Sequence, residues 1–430
     1  MITLQQQGAY LLDGKKMVSA DAVGMPDKKQ SRNGTIAYQI MKAHNVSNDA
    51  ERLSIKFDAL VSHDITYVGI IQTARASGLT EFPLPYALTN CHNSLCAVGG
   101  TINEDDHIFG LSAAKKYGGI YVPVNQAVIH QYAREAMVKC GGMILGSDSH
   151  TRYGSLGVMG VGEGGPELVK QLLSNTYDVT APEVVLVWLT GDVPHGVGPH
   201  DIAVSLVKAV FENGFANNKI LEFAGPGVKN LSVDFRNGID VMTTETTCLS
   251  SIWITDEKVE DYYKTHGIAQ DYKEMSPLPV AYYDSVINID LSKAQCMIAL
   301  PFHPSNAYPI KELQLNAGDI FSLVQKNVQK QFGDKINFNM MDKIVNGKIM
   351  VDQGIIAGCA GGLYENICQS ANILKNGSTG NDYFALSVYP ASMPINIAIT
   401  ANGAAQTLLE AGAILKTAFC GPCFGAGDVP

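Results

Sequence analysis

The 430-residue chain has few of the features that would commit it to a membrane, a nucleic acid or an oxidising compartment. Its longest apolar runs, such as 184–189, fall far short of the ~20 residues a membrane span requires. The N-terminus shows no basic stretch followed by an apolar one, so export is not expected and cytoplasmic residence is. Lys/Arg blocks are missing, and 41 acidic against 31 basic side chains leave a formal charge of −10. That balance argues against binding to nucleic acid or to a membrane surface. With no low-complexity tract and no repeat of roughly 20–50 residues, solenoids and propellers are set aside. Nine cysteines, an odd number without an export signal, make a disulfide framework improbable and reduced core thiols the default.

What is present is a large apolar fraction, 46%, with 17% charged residues, enough to bury several cores in a chain of this length. Short β-branched runs alternate with amphipathic stretches, the pattern of βαβ units around parallel sheets. Strands are expected at 141–145, 183–189, 353–357 and 383–389, with an edge piece at 347–351. Helices are expected at 165–174, through 209 after a Gly-Pro-His-Asp opening, at 363–374 and across 394–415. Seams near 180–190 and 290–305 divide the chain into three α/β domains, 1–185, 186–295 and 296–430, with parallel or mixed sheets flanked by helices.

Chemistry concentrates in three places. Cys420 and Cys423 flank a Gly-Pro turn that cannot continue a helix, so both thiolates can reach one metal centre. Half of a zinc site, a redox dithiol and two legs of an iron–sulfur cluster all remain open on that spacing. Cys359, between glycines at a strand end, is a third thiol in similar surroundings. Three thiolates would leave one iron of a [4Fe-4S] cube open as a Lewis acid. Asp148, Ser149 and His150, at the carboxyl end of a predicted strand, offer a carboxylate and an imidazole to one pocket, followed by a close-packing glycine ladder. His63, His92 and His130 add imidazoles in the same predicted domain, while His195, His200, His266 and His303 read as structural.

These residues, in this order, resemble the aconitase superfamily over essentially the whole chain. The resemblance implies that Cys359, Cys420 and Cys423 ligate a [4Fe-4S] cluster. It also implies that Asp148 and His150 are the active-site pair, with His130 near the iron-bound water. Glu245 resembles a glutamate that reaches the site from the second domain, His92 falls at a catalytic histidine, and His63 and Ser149 fall at substrate positions. Cys91 stands where the family has an aspartate, Val241 where it has an asparagine, and Ala360-Gly-Gly362 where it has Thr-Asn-Ser. Each replacement removes a hydrogen-bonding group. The expectation is a hydro-lyase or isomerase acting on a small di- or tricarboxylic hydroxy acid. This chain alone is expected to be inactive without a swivel domain, supplied by a longer chain or a small subunit. A regulatory iron–sulfur protein and a catalytically degenerate or zinc-binding homologue are the alternatives.

Overall fold

The structure, a computed structural model, describes residues 1–92 and 100–428; Cys96 lies outside them. The chain forms an α/β protein built on parallel and mixed sheets. The first sheet has five parallel strands in the order Ile120–Val122, Tyr86–Thr89, Ala59–His63, Met143–Gly146 and Met159–Gly162. The middle three are buried along their whole length, which their unbroken rather than alternating apolar pattern requires of strands covered on both faces. From Ala59–His63 the chain steps outward twice in one direction, then returns to place Met143–Gly146 on the other side. Loops leaving the carboxyl ends of these two adjacent strands therefore splay apart, and such a reversal in strand order is where open α/β sheets open a crevice.

The second sheet orders Ile2–Gln5, Ser285–Asp290, Val184–Thr190, Ile220–Ala224 and Ser250–Trp253; the edge strand Ile2–Gln5 is antiparallel and the others are parallel. The expected helix after its third strand spans Pro199–Val210, and Asp201 closes its first turn by accepting from the Gly198 amide at 2.7 Å. Ile202, Leu206 and Val210 fall on one face and enter the core, each contributing about 1.5–3 kcal/mol on full burial.

The third sheet is parallel, Gln353–Ile356 beside Ala385–Val388 beside Ile414–Leu415. Two expectations change here. The segment 394–415 is two helices, Met393–Ala401 and Ala404–Glu410, followed by the strand Ile414–Leu415. Gly403 adopts φ +83°, which a continuous helix cannot contain, and the Asn402 side chain accepts from the Ala404 amide to start the second helix. The piece at 347–351 contributes only Lys348–Ile349, paired with Ile344–Val345 in a separate hairpin.

The third sheet is stitched to the first. The Val128 amide donates to Ala391 O (2.9 Å) and the Met393 amide to Gln126 O (2.7 Å), both just before the helix Ile129–Ala136. One continuous apolar cluster includes Leu60, Leu145, Ile252, Cys359, Val388 and Cys420, so strands from all three sheets share a core. That shared core sets the cysteine loops against the crevice of the first sheet.

Candidate active site

Asp148 is the hub. After the strand Met143–Gly146 the chain turns tightly: the Thr151 hydroxyl and amide both donate to Asp148 O, at 2.6 and 3.2 Å. Gly162 on the neighbouring strand makes room, since a Cβ there would meet that same carbonyl oxygen at 2.5 Å. The Asp148 carboxylate, with its side chain only 13% exposed, faces four imidazoles. His130 Nε2 lies 3.0 Å from Oδ1, and His92 Nε2 lies 3.1 Å from Oδ2. His63 Nε2 is 3.6 Å from Oδ2, and His150 Nδ1 is 3.5 Å from Oδ1. The His150 amide adds a hydrogen bond of 2.7 Å to Oδ1. Each imidazole arrives from a carboxyl-end segment of the first sheet: His63 ends the central strand, His92 follows Tyr86–Thr89, and His130 sits in the first turn of Ile129–Ala136.

Electrostatics divide the imidazoles. Burial pushes His130 down to about 4 and His63 to about 3, so both are neutral at physiological pH. Burial also opposes the charged form of His150, but hydrogen bonds with Asp148 and Glu245 outweigh it and raise its pKa to about 9. Burial alone would raise Asp148, and the surrounding imidazoles overturn this and hold its carboxyl well below the usual range. The site therefore presents one protonated imidazole between two carboxylates, with neutral imidazoles around it.

Glu245 reaches in from the short helical turn Thr243–Thr246, its Oε1 3.2 Å from His150 Nε2. The neighbouring Thr244 hydroxyl donates to Ser149 O at 2.6 Å, locking this turn to the Asp148 loop. Ser149 itself is exposed, its Oγ 3.3 Å from His150 Nδ1. His303, read from sequence as structural, lies with Nε2 3.8 Å from Glu245 Oε2 and stacks on Phe211 at 3.7 Å between ring centroids.

The thiols close the other side. Cys359 is buried in the turn Gly358–Gly361, and its carbonyl accepts from Arg134 Nη1 at 2.7 Å. Arg134 is wholly buried, three residues beyond Gln131 and on the same helix as His130. Cys420 precedes the turn Gly421–Phe424 and Cys423 lies within it, with the Cys423 amide donating to Cys420 O at 3.1 Å and the Cys420 amide to Cys91 O at 2.7 Å. Gly358 has φ +78°, and a Cβ on it would lie 2.6 Å from Cys423 Sγ. The sulfur of Cys423 thus rests on the residue preceding Cys359. Burial pushes Cys359 up to about 12, while hydrogen bonding to Cys420 brings Cys423 down to about 7, helped by His150 and His92. All three thiols influence one another electrostatically, and Cys359 and Cys423 also feel Asp148. Three thiols that feel one another's charge, one of them resting against the side-chain-free backbone of Gly358, form a cradle suited to a soft metal group.

The ten residues singled out from sequence thus come together: Asp148, Ser149, His150, His63, His92, His130 and Glu245 on one side, Cys359, Cys420 and Cys423 on the other. Sequence reasoning missed His303 and Arg134, together with Tyr153, whose hydroxyl lies 3.2 Å from His130 Nδ1. It also missed the buried pair Asp64–His107, joined at 2.9 Å. Only Asp64, adjacent to His63, carried a signal that could have been read.

Residues 38–430 match the Aconitase family (aconitate hydratase). Among curated proteins, the mitochondrial aconitate hydratase of Schizosaccharomyces pombe is 26% identical over 94% of this chain and 51% of its own length. The corresponding mitochondrial enzyme of Aspergillus fumigatus is 26% identical over 98% of this chain and 53% of its own length. The 3-isopropylmalate dehydratase large subunit of Moorella thermoacetica is 30% identical over 67% of this chain and 60% of its own length. The chain spans about half the length of the aconitate hydratases it matches. With the match covering nearly all of its residues, this chain belongs to the aconitase family.

Proposed function

We propose that this chain carries most of the active site of a hydro-lyase or isomerase that removes and re-adds water on a small di- or tricarboxylic hydroxy acid. The observation that carries the reading is the placement of the His150 imidazole between two carboxylates, 3.5 Å from Asp148 and 3.2 Å from Glu245, at the carboxylate hub of four imidazoles. Aconitate hydratases and an isopropylmalate dehydratase subunit among its relatives support the reaction class.

Cys359, Cys420 and Cys423 would hold a [4Fe-4S] cluster. Bound there, it would supply an open iron as a Lewis acid for a substrate hydroxyl and carboxylate. The protein's own groups do the rest. His150 holds a proton at neutral pH and gives it to the departing hydroxyl, while Asp148 and Glu245 keep the imidazole aimed and charged. His130, held by Asp148 and Tyr153 on its two ring nitrogens, and His63 are neutral and surround the carboxylate without adding charge to the substrate side. His92 completes the ring around Asp148, and Ser149, exposed beside His150, is placed to bind a substrate oxygen. Loss of water also requires a base for the carbon-bound proton. In this reading it comes from a swivel domain, on a longer chain or a small subunit, and the 430 residues alone turn over poorly or not at all.

The test is substrate binding to the anaerobically reconstituted chain, measured by calorimetry with citrate, isopropylmalate and related hydroxy acids. Binding of at least one of them that is lost in Asp148→Asn and retained in a distant surface variant supports the reading. Indifference of every hydroxy acid to Asp148→Asn would refute it.

A further inference from the structure

The imidazole pair His63 and His92 has two edges, and only one of them is occupied by Asp148. Their rings stack at 3.8 Å between centroids and 21° between planes, with both Nε2 atoms turned to the Asp148 carboxylate. His63 is 6% exposed, and its Nδ1 is buried with no hydrogen-bond partner. A buried ring nitrogen left unpaired costs about 1–3 kcal/mol, so the arrangement favours something that would fill the gap. Asp64 lies next to it, 1% exposed. One nitrogen from each imidazole and a carboxylate oxygen of Asp64 all fall within 4.8 Å of one another.

We propose that His63, Asp64 and His92 form a binding site for a divalent transition-metal ion of the zinc or ferrous class, separate from the three thiols. Two imidazoles and one carboxylate are the donor set that such ions select over calcium or magnesium. Cys91 Sγ, 3.3 Å from His92 Nδ1, is a soft fourth donor at ligand-to-ligand spacing. The supporting shell is already in place. His107 Nε2 holds the Asp64 carboxylate at 2.9 Å, and the His92 amide donates to Asp64 Oδ1 at 2.9 Å. On the far edge Asp148 Oδ2 lies 3.1 Å from His92 Nε2, the carboxylate–histidine arrangement that fixes a ligating ring and raises its basicity, with His63 Nε2 at 3.6 Å. An ion here would tie the central strand of the first sheet to the segment after its neighbour, beneath the carboxylate hub.

The experiment removes the thiols first, so that its outcome is independent of the cluster. The full chain carrying Cys359→Ser, Cys420→Ser and Cys423→Ser is titrated with Zn²⁺, and separately with Co²⁺, then dialysed and analysed for metal. One equivalent is expected, with visible Co²⁺ absorption bands of a low-symmetry nitrogen–oxygen site. His63→Gln and Asp64→Asn should each weaken binding by more than about 100-fold, beyond the effect of losing an outer-shell partner. Since these variants remove buried groups and could unfold, Co²⁺ is also added to the chain with His63 and Asp64 intact, and histidine imidazole resonances are followed. Paramagnetic shifts largest at the imidazoles lining this edge, His63, His92 and His107, and smaller at His130 and His150 across the Asp148 carboxylate, support the site. Absence of stoichiometric uptake, uptake unchanged in both variants, or shifts centred on His44, His266 or another distant histidine would overturn it.

Discussion

Cys423 should be an unusually reactive thiol in the metal-free protein, and by an amount that follows from its surroundings. Its hydrogen bond with Cys420, with His150 and His92 nearby, brings its pKa from 9.0 to about 7. At pH 7 that raises the thiolate fraction roughly 50-fold over an unperturbed thiol, about one half against about one hundredth. Thiolates of lower pKa are weaker nucleophiles, by about 0.4–0.5 log units per pKa unit, so two units give back roughly six- to tenfold. The net expectation is alkylation at pH 7 roughly five- to eightfold faster than an unperturbed, equally exposed thiol. The side chain is open to solvent, so access does not limit the rate, whereas Cys359 and Cys420 are buried. Iodoacetamide labelling followed site by site with mass spectrometry across pH 5 to 10 would give the profile. The rate at Cys423 should rise with a midpoint near 7, and Cys420→Ala should move that midpoint upward. A midpoint near 9 in the unsubstituted chain, or one unmoved by Cys420→Ala, would refute the coupling between these sulfurs.

Further outcomes follow from the same geometry. Glu245→Gln removes one of the two carboxylates that raise His150, so its imidazole should titrate well below about 9 when followed by NMR. Because His150 binds its proton more tightly folded than unfolded, its contribution to stability is complete below pH 6.5 and is lost as pH rises towards 9. A thermal-denaturation series should show that decline in the parent chain and a weaker one in Glu245→Gln. Gly358→Ala puts a Cβ into a left-handed backbone position and 2.6 Å from Cys423 Sγ. It should cost about 1–3 kcal/mol by denaturant titration and impair metal loading of the thiols. Arg134→Met deletes the buried donor to Cys359 O and should destabilise the fold by about 2–3 kcal/mol. Chemical denaturation of that variant beside an exposed Arg75→Met control would measure it.

Much of the architecture was legible because it is written in local patterns. The run 184–189 is apolar throughout and forms nearly all of the central strand Val184–Thr190, flanked on both sides, and Gly-Pro-His-Asp201 carries its own capping carboxylate, so both elements form where expected. The split at Gly403 was less visible: the segment is apolar enough for one long helix, and only the Asn402-Gly403 pair marks the left-handed stop. The site divides in the same way. Asp148, His150 and the Cys-Gly-Pro-Cys turn sit at strand ends and in glycine-rich loops, where functional groups announce themselves by composition. His303 and Arg134 do not. Each meets its partner only through packing between distant segments, His303 against Phe211 and Glu245, Arg134 against Cys359, and no spacing in the chain encodes those contacts.

The convergence of three sulfurs beside the Asp148 imidazoles is the centre of the account. Anaerobic reconstitution with iron and sulfide, followed by iron and labile-sulfide analysis of the parent chain and of the three single Cys→Ser variants, examines it most directly. Iron and labile sulfide should be retained together by the parent, and sharply reduced when Cys359, Cys420 or Cys423 is replaced singly. Zinc without sulfide in the parent, or full loading after Cys359→Ser, would contradict it.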